Sequence, residues 1–272
     1  MSTPGSVVDL WRYRSLTWNF AQREIKGKYK GSVLGWAWSL LSPLATILIF
    51  SFVFATVFRA EPPDFGSGRA GIYAVWLFVG LVAWNFFNIT VQTSMTSLIG
   101  AGPLLKKIYF PPFTPVVGGV VAALWQTTIE AALLVVVLAA LGNLGWTMLL
   151  VPVVVLLLAV FATGLALLLS LINVRYRDVA YIVSIVLQML FYMTPIIYPP
   201  TLIPEEAMGL PLRDLLLLNP LAQYVGALRD VVYDLQVPTA GRFLWMVAAA
   251  ALSLALGWLV FSRGARDVIE EL

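Results

Sequence analysis

Residues 131–174, AALLVVVLAALGNLGWTMLLVPVVVLLLAVFATGLALLLSLINV, run for 44 positions without a charge. A helix crosses the hydrocarbon core of a bilayer with about 20 apolar residues, so a run of this length is too long for one crossing and fits two. Leu141-Gly142-Asn143-Leu144-Gly145 sits near its front third and is turn chemistry, two glycines and an asparagine between periodic apolar segments. The reading is a hairpin of two membrane helices. The first begins upstream near Phe113 and carries Glu130 inside it; the second ends near Ile172.

Outward from this hairpin the same punctuation repeats. Further uncharged runs span residues 31–58, 70–105, 108–129, 179–204 and 243–262, that is 28, 36, 22, 26 and 20 positions. Hydrophobic residues make up 60% of the chain's 272 residues and charged ones 11%, with a mean hydropathy of +0.89. A water-soluble domain carries roughly 25% charged residues, so the chain is expected to be an all-α polytopic membrane protein. Six transmembrane helices are predicted, over 35–58, 71–97, 113–141, 146–172, 179–197 and 243–262.

The apolar stretch Leu215 to Leu228 is too short to cross and is interrupted by Asn219-Pro220, where proline removes a backbone donor. Short re-entrant helices are therefore expected on the outer side, within 198–242 between spans five and six, covered by protein because bare backbone is not tolerated at membrane depth.

Charge placement sets the orientation. With a cytoplasmic N-terminus, 12 of the 17 Lys and Arg fall inside (Arg12, Arg14, Arg23, Lys26, Lys28, Lys30, Lys106, Lys107, Arg175, Arg177, Arg263, Arg266), leaving 5 outside (Arg59, Arg69, Arg213, Arg229, Arg242). The positive-inside rule then puts both termini in the cytoplasm. The divisions are a cytoplasmic N-terminal segment at 1–34, the six-span region at 35–262 with a first cytoplasmic loop at 98–112, and a cytoplasmic tail at 263–272. No cleavable signal peptide is expected.

Several chemistries drop out. There is no Cys and no His, which removes disulfides, thiol chemistry, Cys/His zinc sites and a Ser-His-Asp triad from this chain. No segment matches the phosphate-binding loop G-x-x-x-x-G-K-[ST]. No cofactor is expected in this chain, and a net charge of +3 is too slight to argue for nucleic acid. Glu130 alone among the charges falls well inside a span, whereas an ion-coupled carrier more often shows several intramembrane carboxylates. Glu130 reads either as structural, hydrogen-bonded to a neighbour such as Gln126, or as lining a channel.

In the N-terminal segment, Val7, Leu10, Trp11, Trp18, Ala21 and Ile25 share about a third of a helical wheel, opposite Asp9, Arg12 and Arg23. This predicts an amphipathic helix lying on membrane lipids, with Trp11, Arg14, Trp18, Arg23 and Lys26 as its interface residues, Arg14 snorkelling to a phosphate.

That helix leads into REIKGKYKGSVLGWAWSLLSP, residues 23–43. The stretch resembles the signature entering the first span of ABC transporter permeases of the polysaccharide-export class: a basic R-[DE]-[IL]-K-x-[KR]-Y, then S-x-L-G-x-x-W and a proline. LLKKIYFPP at 104–112 and FYMTPIIY at 191–198 resemble the same family at corresponding places, ahead of Asn219-Pro220 and Arg229. One departure is Gly100-Ala101-Gly102-Pro103, where the family often has a more regular helix.

The resemblance implies a permease pairing with a second copy of itself and with two copies of an ABC ATPase subunit that binds MgATP, in a bacterial inner (plasma) membrane. It implies export of a lipid-linked polysaccharide, of O-antigen, capsule, teichoic acid or galactan class, through a channel at the dimer axis. Lys106, Lys107 and Tyr109, on a short loop helix, are the expected ATPase contact, with Arg175 and Arg177 as a second. Aromatics suit a sugar path because their faces stack on sugar C–H faces without fixing register. Trp36, Trp38, Trp84, Phe86, Phe87, Phe191, Tyr192 and Tyr198 are the candidates, with Glu130. Pro195, Asn219, Pro220 and Arg229 are expected to belong to an outer gate. The alternatives are an ABC permease for a small lipid or drug, which usually lacks the aromatic clustering and the entry signature, and a membrane transferase, for which no convincing carboxylate pair exists beyond Glu205-Glu206.

Overall fold

The computed structural model describes residues 11–59, 61–206 and 209–271, and over these all regular structure is helical. Nine α-helices follow one another: α1 (Arg14–Tyr29), α2 (Trp38–Ser51), α3 (Tyr73–Leu105), α4 (Phe113–Leu141), α5 (Val151–Arg175), α6 (Val179–Met193), α7 (Leu212–Leu217), α8 (Pro220–Val232) and α9 (Ala240–Glu271). A π-helical stretch, Phe52–Val57, prolongs α2, and a 3-10 turn, Trp146–Leu150, precedes α5. Five of these units are long and apolar enough to cross a membrane: Trp38–Val57, Tyr73–Leu105, Phe113–Leu141, Trp146–Arg175 and Ala240–Ala265. The chain is a multi-pass membrane protein.

The 44-residue run folds as a hairpin. Helix α4 ends at Gly142, whose φ of 69° is the left-handed cap that glycine adopts without a Cβ clash, and Asn143 starts the return.

The predicted fifth span, 179–197, is helical only over Val179–Met193, about 22 Å at 1.5 Å per residue. Pro195 explains the early end: a proline pushes the residue before it out of the helical region, and Thr194 is extended (φ −91°, ψ 133°). Residues 194–198 turn inward instead, and Thr194, Pro195, Ile196 and Ile197 are buried.

Two boundaries move the other way. Helix α3 runs through Gly100-Ala101-Gly102-Pro103 to Leu105, so the separate loop helix expected for Lys106 and Lys107 is absent and both lysines stand in the turn just past its end. Pro103 is tolerated because it forgoes a single backbone bond close to the helix end, and cations beyond a C-terminus meet the negative end of the helix dipole. Helix α9 likewise continues past Arg263 into the expected tail.

Helix α3 is the axis of the bundle. The most apolar 18-residue stretch within it is 78% buried, against 11% for the α2 unit, because α4, α5 and α8 all pack on it. The tightest crossing joins α5 to α9: a Cβ on Gly257 would lie 2.0 Å from the Gly164 carbonyl oxygen, and one on Gly164 2.3 Å from Ser253 backbone atoms. Close backbone approach at small residues is how helices gain dispersion contact where lipid is as apolar as leucine.

Helix α1 packs against the bundle. Thr17, Phe20 and Ala21 are buried, with Phe20 and Ala21 pressed on Gly118 of α4, while Trp11 and Trp18 stay exposed along another stripe. The helix thus has one protein-facing stripe that the wheel missed and a separate outward aromatic one. Val7, Asp9 and Leu10 lie outside the described residues, as does the side chain of Trp36.

Candidate functional site

Asn85, Asn88 and Gln92 recur at i, i+3 and i+7 on α3, which puts three carboxamides on one face. This face looks toward α2 and α6, both of which carry exposed apolar side chains, Leu48 and Ile49 on the first and Ile182, Ile185 and Met189 on the second. Three clefts of about 360, 340 and 330 Å³ follow one another along it and share lining residues. The first is bounded by Glu24, Lys28, Gln92 and Gln126. The second holds Trp38, Ser42, Thr46, Asn85 and Glu130, and the third Thr46, Asn85, Asn88, Ser184, Gln188 and a set of aromatics. Together they form a groove with Glu24, Lys28 and Glu130 along its first two clefts and no charge in the third.

Of the nominated aromatics, the structure brings Trp84, Phe191 and Tyr192 together in the third cleft. The Trp84 and Phe191 centroids are 5.4 Å apart, and Tyr192 meets Phe191 edge-on at 5.3 Å. Tyr198 is tied to the same place by its hydroxyl, which donates to the Tyr192 carbonyl at 2.8 Å. Phe50, 6.1 Å from Phe191, and Phe54 extend the row along α2; neither was nominated. Phe86 and Phe87 go elsewhere. They are 1% and 3% exposed inside the chain's own core, Phe87 stacked on Phe161 of α5. Trp38 is half exposed at the rim of the second cleft.

The Glu130 cluster depends on a proline. Pro43 lies inside α2 and has no N–H to offer Ser39, so the Ser39 carbonyl is left open. Gln126 Nε2 donates to it at 2.9 Å and also to Glu130 Oε1 at 3.0 Å. Glu130 is 2% exposed, with Asn85 and Lys28 close enough to interact with it. It is therefore both hydrogen-bonded to Gln126 and part of a cleft wall. Desolvation lowers the Lys28 ammonium from its usual value, and the nearby Glu130 carboxylate opposes that.

At the basic end Lys106, Lys107 and Tyr109 are exposed, and so are Arg175, Tyr176 and Arg177. The loop under Tyr109 is anchored: Phe110 is buried 5.6 Å from Phe20 of α1, and Arg23 Nη2 donates to the Gly100 carbonyl at 3.1 Å. Helix α1 and the end of α3 are thus one mechanical piece. Arg14 stacks over Trp11 at 4.7 Å, and Lys26 is exposed in the last turn of α1.

At the opposite end, all four nominated gate residues meet. Asn219 caps α8, its side chain accepting from the Leu221 N–H, with Pro220 at the first helical position that suits it. Asn219 Nδ2 also donates to Thr194 Oγ1 at 2.9 Å. Arg229, 6% exposed, donates to the carbonyls of Pro195 and Ile196 at 2.6 and 2.7 Å. Sequence reasoning missed the other fastener here, Asn143. Its Nδ2 reaches the carbonyls of Val232 and Tyr233, and its Oδ1 accepts from the Ser67 N–H, so one buried side chain joins three loops.

The family model described as ABC-2 type transporter matches residues 15–233. The O-antigen export system permease protein RfbA of Myxococcus xanthus is 33% identical over 258 residues, covering 94% of each chain. A Klebsiella pneumoniae protein of the same description is 29% identical over 212 residues, 77% of this chain and 76% of its own. The polysialic acid transport protein KpsM of Escherichia coli is 23% identical over 244 residues, 88% of this chain and 89% of its own.

Proposed function

The chain belongs to the ABC-2 type transporter family, and on that footing we propose that it is the permease subunit of an ATP-driven exporter of a lipid-linked polysaccharide. As such it is a transport protein and not an enzyme. Two copies pair, two ATPase subunits bind and hydrolyse MgATP, and the polymer moves from the cytoplasmic to the outer face of the bacterial inner membrane. The relatives handle O-antigen and polysialic acid by name, which supports a polysaccharide cargo.

One observation carries the reading. The third cleft of the groove on α3 carries no charged residue, and it and the second are lined by carboxamides, hydroxyls and aromatic rings. Amides and hydroxyls exchange hydrogen bonds with sugar hydroxyls, while ring faces cover the apolar C–H faces. A single chain leaves this groove open beside α2 and α6, where a second copy would close it.

One contact supports a sixth crossing in this reading, and the placement of the cations supports its orientation. The irregular stretch after α6 reaches the level at which α3 begins, since the Tyr73 hydroxyl donates to the Ile197 carbonyl at 2.6 Å. Helix α6 with residues 194–198 then completes a sixth crossing, and both termini are cytoplasmic. Helices α7 and α8 form the re-entrant outer element. Exposed Lys106, Lys107 and Tyr109, with Arg175 and Arg177, meet the ATPase; rigid attachment of that loop to α1 through Phe110 and Arg23 carries its movement to the groove entrance.

The test is deletion of the gene and its return on a plasmid, scored by polymer at the cell surface, together with purification. Loss of surface polymer with accumulation inside the cell, and copurification of an ATPase subunit, are expected. An isolated monomer that drives ion-coupled flux, or normal surface polymer after deletion, overturns the proposal.

A further inference from the structure

The two oxygens of the buried Glu130 carboxylate differ in what they meet. Oε1 accepts from Gln126 Nε2, whereas Oε2 has no donor within 3.5 Å, the Asn85 side chain acting on the carboxylate from farther off. Glu130 comes from α4, and the cleft it lines, about 340 Å³, is completed by Trp38, Ser42 and Thr46 of α2 and Asn85 of α3. Gln126 is held in place by its second bond to the Ser39 carbonyl, so the carboxylate cannot simply turn to satisfy both oxygens with that amide. A buried acceptor left without a donor is costly, and a donor entering the cleft relieves that cost.

The surroundings choose the donor. Lys28 lies near the carboxylate, so a cation entering would meet like charge on one side, and an anion would meet Glu130 itself. A neutral polyol avoids both penalties. Its hydroxyl supplies the proton donor, its remaining oxygens suit Asn85, Ser42 and Thr46, and the half-exposed Trp38 ring offers a stacking face at the rim.

We propose that the Glu130 cleft is the first sugar-binding subsite of the path, where Glu130 Oε2 accepts a hydroxyl of a neutral sugar unit as the polymer enters. The subsite rests on the polysaccharide-export reading and adds to it a place and a residue at which the glycan, as distinct from its lipid carrier, is first read.

Because the chain has no cysteine, single cysteines can report occupancy. Ser42→Cys puts a thiol in the Glu130 cleft and Ser184→Cys puts one in the aromatic stretch beyond it. The full chain with its ATPase subunit, in lipid vesicles, is labelled with a water-soluble maleimide in the presence of lipid-linked glycan extracted from the source cells. The extract should slow labelling at both positions. Glu130→Gln keeps an acceptor for Gln126 but turns the free oxygen into a donor, and should raise the extract concentration that protects position 42 by about ten-fold, the effect of one hydrogen bond to a charged group. Trp38→Ala, at a half-exposed position, should weaken the same protection.

Protection at position 184 alone overturns the subsite while leaving the path intact. So does position 42 protected equally in wild type and both variants, or protected by the carrier lipid stripped of its glycan. Protection at neither position overturns the subsite and the path together.

Discussion

The guanidinium of Arg229 stacks 3.4 Å from the ring centroid of Trp76, fully inside the protein. It is a buried cation held by a ring face and two backbone carbonyls, with Asp234 the nearest carboxylate to act on it. The carbonyls belong to the stretch that proline had already released from α6, so Arg229 takes up acceptors that the helix gave away.

Arg229→Lys keeps the charge and loses the planar fork, and Arg229→Met loses both. Charge-assisted hydrogen bonds contribute about 1.5–3 kcal/mol each, and a desolvated cation over indole about 2 kcal/mol. Both variants should lower the thermal midpoint of the detergent-purified protein, Met more than Lys. A Lys variant indistinguishable from wild type would show that the two carbonyls find other donors.

Asn143 is the second fastener of that end. Asn143→Ala abandons the Val232 and Tyr233 carbonyls and the Ser67 N–H, for a loss of about 2–3 kcal/mol. Asn143→Asp should be worse at neutral pH, since it aims a carboxylate at two carbonyl oxygens. Thermal melts of the two variants check the order, and Asp milder than Ala would contradict the assignment of Nδ2 to the carbonyls.

The α5–α9 crossing should not tolerate a single methyl. Gly257→Ala drives a Cβ into the Gly164 backbone, which cannot step aside as a side chain can. Overpacking of this kind costs about 1–3 kcal/mol. Gly241→Ala, in the first turn of α9 with nothing within 4 Å of its Cβ, is the control. Folded yield by size exclusion should fall only for the first, and equal yields would refute the contact.

Asp234 gives the outer end a pH dependence. Burial, with help from the Asp230 carboxylate, pushes it up to about 6 from an ordinary 3.8, against the pull of Arg229 and Arg242. The folded chain then holds this proton more tightly than the unfolded one. Its contribution to stability is complete below about pH 4 and is lost as pH rises through 6. The group is partly exposed, so the slope is modest. Asp234→Asn should flatten the midpoint-versus-pH profile between pH 4 and 6 and raise stability at pH 7; parallel profiles for both proteins would exclude Asp234 as the source.

Core and groove positions should separate by role. Phe86→Ala empties core volume and costs about 3–5 kcal/mol of stability. Asn88→Leu and Gln188→Leu change only the groove lining, so they should lower surface polymer while leaving folded yield as it was. Export unaffected by both Leu variants would argue against the groove as the path.

The sequence made the helices legible wherever the signal was local. The hairpin at 131–174, the break at Asn219-Pro220 and the concentration of cations near Lys106 and Arg175 all came from residues close together in the chain. What it concealed was the destination of each side chain. Trp84, Phe86 and Phe87 are nearly adjacent and looked alike, and all three are buried, yet only Trp84 reaches the wall of the third cleft. Asn85, Asn88 and Gln92 carried a readable signal in their i, i+3, i+7 spacing inside an apolar run. It was overlooked because carboxamides bear no charge.

By itself, then, the sequence determined that this is a helical membrane protein, where most of its crossings start and which end collects the cations, because apolar length and charge asymmetry act through the solvent and need no partner. Only the tertiary structure decided that residues 194–197 turn inward after α6, that Phe20 joins α1 to the lysine loop, and that Arg229 and Asn143 close the far end on carbonyls tens of residues away. Each of those outcomes turns on an acceptor or a surface belonging to another helix, and a backbone carbonyl looks the same at every position in a sequence until packing leaves it without its own donor.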